Sequence, residues 1–289
     1  MGRRVGSACG ILACVGALLL APAPAAQAWP MHVMSMNQCS DQLVLMLLPL
    51  NRISSVTYLA ESGAVTPEIA AKARRARINY GTAEDVLAQK PDLIVAGLYT
   101  TAETRKLAKR IGIPVIEQPP ANSFADIRQQ LRVLGAAVGE SARAEAIVAG
   151  MDATLAKLAR SEHGRTITAV GWDASGRVPG KTSLFEAMLN AAGGENVAAG
   201  PGTFERNLNL EQLLTLKPRP ELLLYGALDT NRFGLRRDSL DHPVLRRAFG
   251  RRRIAFPENV IVCGTPQLAQ EAVRLRQAML SALGDGGSQ

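Results

Sequence analysis

The chain has 289 residues, 47% of them hydrophobic, 20% charged and only 4% aromatic. Such a composition excludes a disordered chain, and four cysteines over this length exclude a small disulfide-stapled scaffold. The net charge of +8 invites a nucleic-acid reading, but the basic clusters at Arg74–Arg75–Ala76–Arg77, Arg236–Arg237 and 246–253 have no interleaved aromatics for base stacking, so no nucleic-acid partner is expected.

The first segment is an address. Arg3 and Arg4 precede an apolar stretch over 8–21, then a Pro/Ala spacer and the small-x-small pattern Ala26-Gln27-Ala28. The apolar stretch is shorter than the roughly 20 residues a membrane-spanning helix needs. Residues 1–28 therefore read as a cleaved signal peptide, with a mature periplasmic chain starting at Trp29.

Strands and helices then alternate. Strands are expected at 32–36, 53–56, 93–96 and 115–116, with helices at 41–48, 67–76, 82–90 and 101–111. A second series follows, with strands at 166–171, 222–225, 253–256 and 260–262 and helices at 183–192, 209–216, 242–249 and 267–283. Alternation of this kind implies crossover connections and mainly parallel sheets. One phrase occurs in both series. Glu84 to Pro91 leads into Asp92-Leu93-Ile94-Val95, and Glu211 to Pro218 leads into Glu221-Leu222-Leu223-Leu224. Each is an amphipathic helix, a Lys-Pro stop and a continuous apolar run that suits a strand buried on both faces.

Between the two series, 140–162 has no proline and one glycine, and Ile147, Met151, Leu155 and Leu158 recur at helical spacing. This reads as one stiff helix of roughly 35 Å. The fold class is accordingly α/β: two Rossmann-like lobes with mainly parallel sheets, joined by one long backbone helix, with a cleft between the lobes where ligands of α/β sheets bind. The expected organisation is 29–139 for the N-terminal lobe, 140–163 for the helix and 164–289 for the C-terminal lobe.

This order of motifs resembles the periplasmic substrate-binding proteins of cobalamin and iron-siderophore ABC importers. The specific pieces are Gly81-Thr82-Ala83-Glu84-Asp85-Val86 through Lys90-Pro91-Asp92-Leu93-Ile94, then Gly180-Lys181-Thr182-Ser183-Leu184 and Ala191-Ala192-Gly193-Gly194-Glu195-Asn196-Val197. The resemblance implies a monomeric protein that captures a metal chelate and delivers it to an inner-membrane ABC permease and its ATPase. A ferric siderophore ranks first, cobalamin second and haem third. The resemblance also implies that one glutamate per lobe docks on the permease, at Glu103 and Glu211, against the plainer reading of two helix N-terminal acids.

Ligand contacts are expected on loops that follow strands: Asn37, Gln38, Tyr80 and Tyr99 in the first lobe, and Trp172, Lys181, Arg206, Tyr225 and Cys263 in the second. Flat rings suit a broad conjugated chelate, and Arg177, Lys181, Arg206 and Arg232 would pair with an anionic one. Three fates are open to Cys39 and Cys263: a disulfide across the lobes, two free thiols at the ligand, or two unrelated buried residues. His32, His163 and His242 lack the spacing of a metal site, so neither a resident metal nor an intrinsic cofactor is expected. Gly176 to Thr182 imitates a phosphate loop but has three residues between its glycines where four are needed, and a proline inside. No catalytic residue is expected. A periplasmic enzyme using Asp41, Asp173, Glu186 or Ser175, or a chelate sensor without a permease, is the alternative on the same fold.

Overall fold

A computed structural model describes residues 1–2, 29–63, 65–98, 100–161, 164–173, 175–200, 205–227, 242–257 and 259–284. The proposed signal peptide lies almost wholly outside the described residues, as do Tyr99, His163 and Arg232.

The first series folds around one parallel sheet. Its strands are β1 (Val33–Ser35), β2 (Ile53–Thr57), β3 (Ile78–Asn79), β4 (Leu93–Gly97) and β5 (Val115–Gln118), arranged β3-β2-β1-β4-β5. The helices between them are α1 (Gln38–Leu47), α2 (Pro67–Ala73), α3 (Ala83–Gln89) and α4 (Ala102–Arg110), followed by α5 (Phe124–Ala137). Each start is written locally. Asn37 caps α1, Thr66 caps α2 with proline in its first turn, and Thr82 and Asp85 form a capping box on α3. Strand β4 is buried along its whole length, as its unbroken apolar run requires.

The long helix is α6 (Ser141–Arg160). The second series then supplies β6 (Ile167–Gly171), β7 (Arg177–Pro179), α7 (Leu184–Ala191), β8 (Gly194–Asn196), β9 (Glu205–Asn207), α8 (Leu210–Leu214), β10 (Leu222–Ala227), α9 (Pro243–Phe249), β11 (Arg253–Pro257), α10 (Asn259–Val262) and α11 (Leu268–Leu283). Strands β11-β10-β6-β8 form a second parallel sheet, while β7 and β9 pair antiparallel beside it.

Helix α6 packs on α5 from the first series and on α7 and α11 from the second. Arg128 of α5 bonds Asp152 on it, and Gln270 of α11 bonds Thr154. One apolar cluster runs from Val33 and Leu93 through Leu131, Leu134, Val148 and Met151 to Ile167, Leu222 and Leu275. The two sheets therefore share a continuous core through the helices.

The structure corrects the sequence reading at 260–262. Val260-Ile261-Val262 lies in helix α10, not in a strand. Three β-branched residues are too few for periodicity to separate the two states, and Cys263 immediately after them is bonded to Cys39. The sequence reading also passes over α5 and the short strands β3, β7, β8 and β9. The two Lys-Pro phrases differ in backbone: Lys90 is left-handed at φ 49°, whereas the Lys217–Pro218 peptide is cis.

Candidate functional site

The strands of the first sheet deliver their C-terminal ends to one place. After β1 comes Asn37, whose side chain accepts the Cys39 N–H at 2.9 Å. After β4 comes Gly97, where a Cβ would fall 2.8 Å from the Asn37 side chain, so glycine is what lets the two loops close up. Thr100 fastens them, donating to the Met36 carbonyl at 2.9 Å and accepting the Gly97 N–H at 3.2 Å. After β5, the Gln130 amide donates to the Pro119 carbonyl at 2.6 Å and fixes the turn into α5.

The second series delivers Trp172 and Asp173 after β6, Arg177 on β7 and the start of α7 to the opposite wall. Asp173 is a local hub. One carboxylate oxygen accepts the Ser175 hydroxyl at 2.6 Å and the Ser175 and Arg177 N–H groups at 2.8 and 3.0 Å; the other accepts Arg177 Nε at 2.7 Å. Burial alone would push this carboxyl up, but the hydrogen bonds from Ser175 and Arg177 outweigh it and hold it below the usual range. The same Arg177 approaches Glu205 at 3.9 Å.

Between these walls lies a cavity of about 280 Å³, lined from the first half by Asn37, Cys39, Leu98 and Gln118 among others, and from the second by Trp172, Arg177, Phe185 and Val262 among others. Most of its surface is apolar, with a few convergent polar groups, the chemistry of a small-molecule binding site. Leu98 is 64% exposed there, an apolar side chain presented to an incoming molecule. Among the described residues, no group of histidine, cysteine and carboxylate side chains is arranged to hold a metal ion.

Of the expected contacts, Asn37 and Trp172 line the cavity, as does Cys39. Trp172 is 6% exposed and its indole N–H donates to the Leu208 carbonyl at 3.0 Å, so the ring packs mostly within its own half. Gln38, Tyr80, Lys181, Arg206 and Tyr225 stand outside the lining. The Gln38 amide packs against Gly63, Arg206 bonds the Ala198 carbonyl, and Tyr80 is 66% exposed and stacked on Tyr58 with ring centroids 5.5 Å apart. Tyr225 lies within β10, and Lys181 faces solvent near Glu186. Tyr99 follows Leu98 but lies outside the described residues.

The Cys263 side chain is 2% exposed and does not line the cavity; its neighbours Val262 and Gly264 do. Its sulfur is bonded to that of Cys39, with the Cα atoms 5.0 Å apart. Gln118, Phe185, Leu98 and Glu205 are lining residues that sequence reasoning passed over. Leu98 and Gln118 had a legible signal, since both stand where an apolar run ends. Phe185 had none, because an aromatic in a helix first turn reads as core.

The alternative carboxylates are placed too. Asp41 is fully buried against Thr57 at the end of β2, and Glu186, also buried, is pushed up by that burial while accepting from Asn190 at 3.3 Å. Neither lines the cavity.

The sequence pattern of a periplasmic binding protein family matches residues 35–233. An uncharacterised ABC transporter substrate-binding lipoprotein, YvrC of Bacillus subtilis (strain 168), is 27% identical over 126 residues, so the match spans 40% of this chain and only 40% of that curated relative's length. Among solved structures, the periplasmic heme-binding protein RhuT from Roseiflexus sp. RS-1 superposes with a TM-score of 0.69 at 23% identity, covering 87% of this chain and 98% of that one. A periplasmic heme-binding protein from Pseudomonas aeruginosa gives 0.70 at 20% identity, covering 86% and 92%. An ABC-type Fe3+-hydroxamate transport protein from Saccharomonospora viridis DSM 43017 gives 0.67 at 19%, covering 89% and 94%. At these identities the likeness is one of fold.

Proposed function

We propose a role for this chain on one premise: it belongs to the periplasmic binding protein family, a family of binding proteins and not of enzymes. The role is that of the exported substrate-binding component of an ABC importer. It captures a metal chelate in the cavity between its two sheets and delivers it to the permease, whose ATPase drives uptake. The chelate is a ferric siderophore, cobalamin or haem.

The observation that carries this reading is the cavity itself. It sits at the C-terminal strand ends of both sheets, it is mostly apolar, and its polar groups come from both walls. The proteins of similar fold include a periplasmic heme-binding protein and a member of an Fe3+-hydroxamate transport system, which supports the chelate class without choosing within it. Export rests on Arg3, Arg4 and the Ala26-Gln27-Ala28 pattern. Docking rests on Glu103 and Glu211, exposed acids in the first turns of α4 and α8. Exposed charges of this kind steer and orient a partner more than they bind it.

The test is native mass spectrometry of the protein from its own periplasm, with a denatured control, followed by titration with ferrioxamine B, ferric enterobactin, cyanocobalamin and haemin. One of them is expected to bind one to one with a Kd below about 1 μM. Absence of both a co-purifying adduct and binding across the panel refutes the chelate reading. The denatured mass also tests cleavage before Trp29. Replacing Glu103 and Glu211 by alanine is expected to leave chelate affinity unchanged and to lower uptake in cells about tenfold; unchanged uptake removes the docking assignment.

A further inference from the structure

The bond between Cys39 and Cys263 spans 224 residues of chain and joins the two walls of the cavity. Cys39 is the second residue of α1, two positions after the capping Asn37. Cys263 follows α10 and sits between Val262 and Gly264, both on the cavity surface. Next to the bond the two halves touch as closely as backbone allows: a Cβ on Gly264 would lie 2.3 Å from the Ala121 methyl group and 3.1 Å from Ile127. Helix α6 and the disulfide are thus two covalent crossings between the halves, and the disulfide is the one that forms part of the ligand wall.

The two cysteines differ in access. Cys39 is partly exposed and lines the cavity, whereas Cys263 is buried and does not line it. We propose that the Cys39–Cys263 disulfide is a redox-sensitive clasp on the ligand cavity, opened from inside the cavity by a dithiol reductant and shielded when a chelate is bound. The clasp itself rests only on the geometry; the shielding rests on the chelate reading.

The chemistry balances with a dithiol as the two-electron donor. One thiolate of the reductant attacks Cys39 Sγ, the protein S–S bond breaks, and Cys263 leaves as a thiolate that takes up a proton. The reductant's second sulfur attacks the resulting mixed disulfide and releases Cys39, which is protonated in turn. The reductant ends as its own disulfide and the protein as two thiols. With the clasp open, the walls are held only by α6 and by packing, so the cavity widens and a chelate dissociates faster. Because reductant and chelate approach the same surface, each excludes the other, as reciprocal linkage demands.

Three measurements test this. The first is amide hydrogen exchange at 121–123 and 261–265 in the oxidised protein, in the protein held reduced by dithiothreitol, and in the Cys39→Ser/Cys263→Ser double variant. Exchange at those segments is expected to rise about tenfold in both open forms, with β1, β4, β6 and β10 unchanged. No local rise, or a uniform rise across both sheets, would mean a plain stability staple and overturns the clasp. The second is acid-quenched reaction with glutathione and peptide mapping. The mixed disulfide is expected on Cys39; finding it on Cys263 overturns attack from the cavity. The third is the rate of reduction by dithiothreitol in the presence of ferrioxamine B, ferric enterobactin, cyanocobalamin or haemin. The probe that binds is expected to slow reduction about tenfold, and binding without slowing overturns the shielding. If no probe binds, the chelate reading fails alone, and exchange and mapping still decide the clasp.

Discussion

Asp41 is a carboxylate sealed from water, and its energetics follow from that. It accepts the Thr57 N–H at 3.0 Å and the Thr57 hydroxyl at 2.5 Å, tying α1 to the C-terminal end of β2. Burial raises its pKa from 3.8 to about 6, against the opposing hydrogen bonds from Ser35 and Thr57. The folded protein therefore holds a proton that the unfolded chain releases, so stability falls as pH rises from about 4 to about 6 and is level above that. The shift corresponds to roughly 3 kcal/mol. Asp41→Asn keeps an acceptor and a donor for Thr57 and is expected to remove this slope, as read by urea midpoints at pH 4.5 and 7. An unchanged slope in the variant would place the pH dependence elsewhere. Glu221 titrates in a separate window: hydrogen bonding by Arg165, with Thr168 adding to it, holds its carboxyl at about 2, so its contribution is present above about 4.5 and fades as pH falls toward 2. At the same scale, Leu98 contributes apolar surface to the cavity and little to any core. Leu98→Ser is expected to weaken chelate binding about tenfold with an unchanged melting temperature; isothermal titration and calorimetry together separate the two effects.

At the scale of elements, the helix starts are written in the sequence more firmly than the helix interiors. Ser123, Ser183 and Asn209 each accept an N–H from the first turn they precede. Helix α6, by contrast, has no side-chain N-cap bond and carries Gly150 at an exposed interior position. A Cβ at Gly150 would meet nothing within 4 Å, and its backbone is ordinary helix. Gly150→Ala is therefore expected to stabilise the protein by about 0.5–1 kcal/mol, seen as a higher urea midpoint with unchanged chelate affinity. Gly264 is the opposite case, because Ala121 and Ile127 occupy the space a methyl group needs. Gly264→Ala is expected to cost about 1–3 kcal/mol and to shift the walls of the cavity. Paired denaturation and ligand titration will show a loss in both, whereas a loss of stability alone would mean that the contact packs without shaping the site.

Over the whole molecule, the continuous core changes what the two halves can do. Apolar residues of α5, α6 and α11 belong to one cluster with both sheets, so movement of one half on the other must disturb packed helices as well as a linker. Close-packed interiors resist such distortion. The disulfide adds a second crossing on the cavity side. A cavity lined from both halves and held at two places is preformed, and a ligand then loses little of its binding free energy to ordering the protein.

The alternation of strands and helices, the long helix and the loop ends at Asn37 and Trp172 are legible from the sequence because each is a local signal: a period, a cap or a run; among the three fates open to Cys39 and Cys263, only the tertiary structure selects the disulfide. Helix α5 is local too, with Ser123 as its cap. The aromatic contacts show the limit. Tyr80 stands at a strand exit as expected, yet stacks on Tyr58, while Phe185, hidden in a helix start, reaches the cavity. Residues at strand exits are fixed by chain position, but tertiary neighbours fix the direction a ring takes, as Tyr58 does for Tyr80 within one half and Leu208 for Trp172 within the other. Val260-Ile261-Val262 marks the same limit: three apolar β-branched residues carry too little periodicity to separate strand from helix, and the structure makes them helix. Local pattern determined the elements and their order, and only the meeting of two distant halves, with the burial and close contacts it imposes, decided which side chains face the cavity.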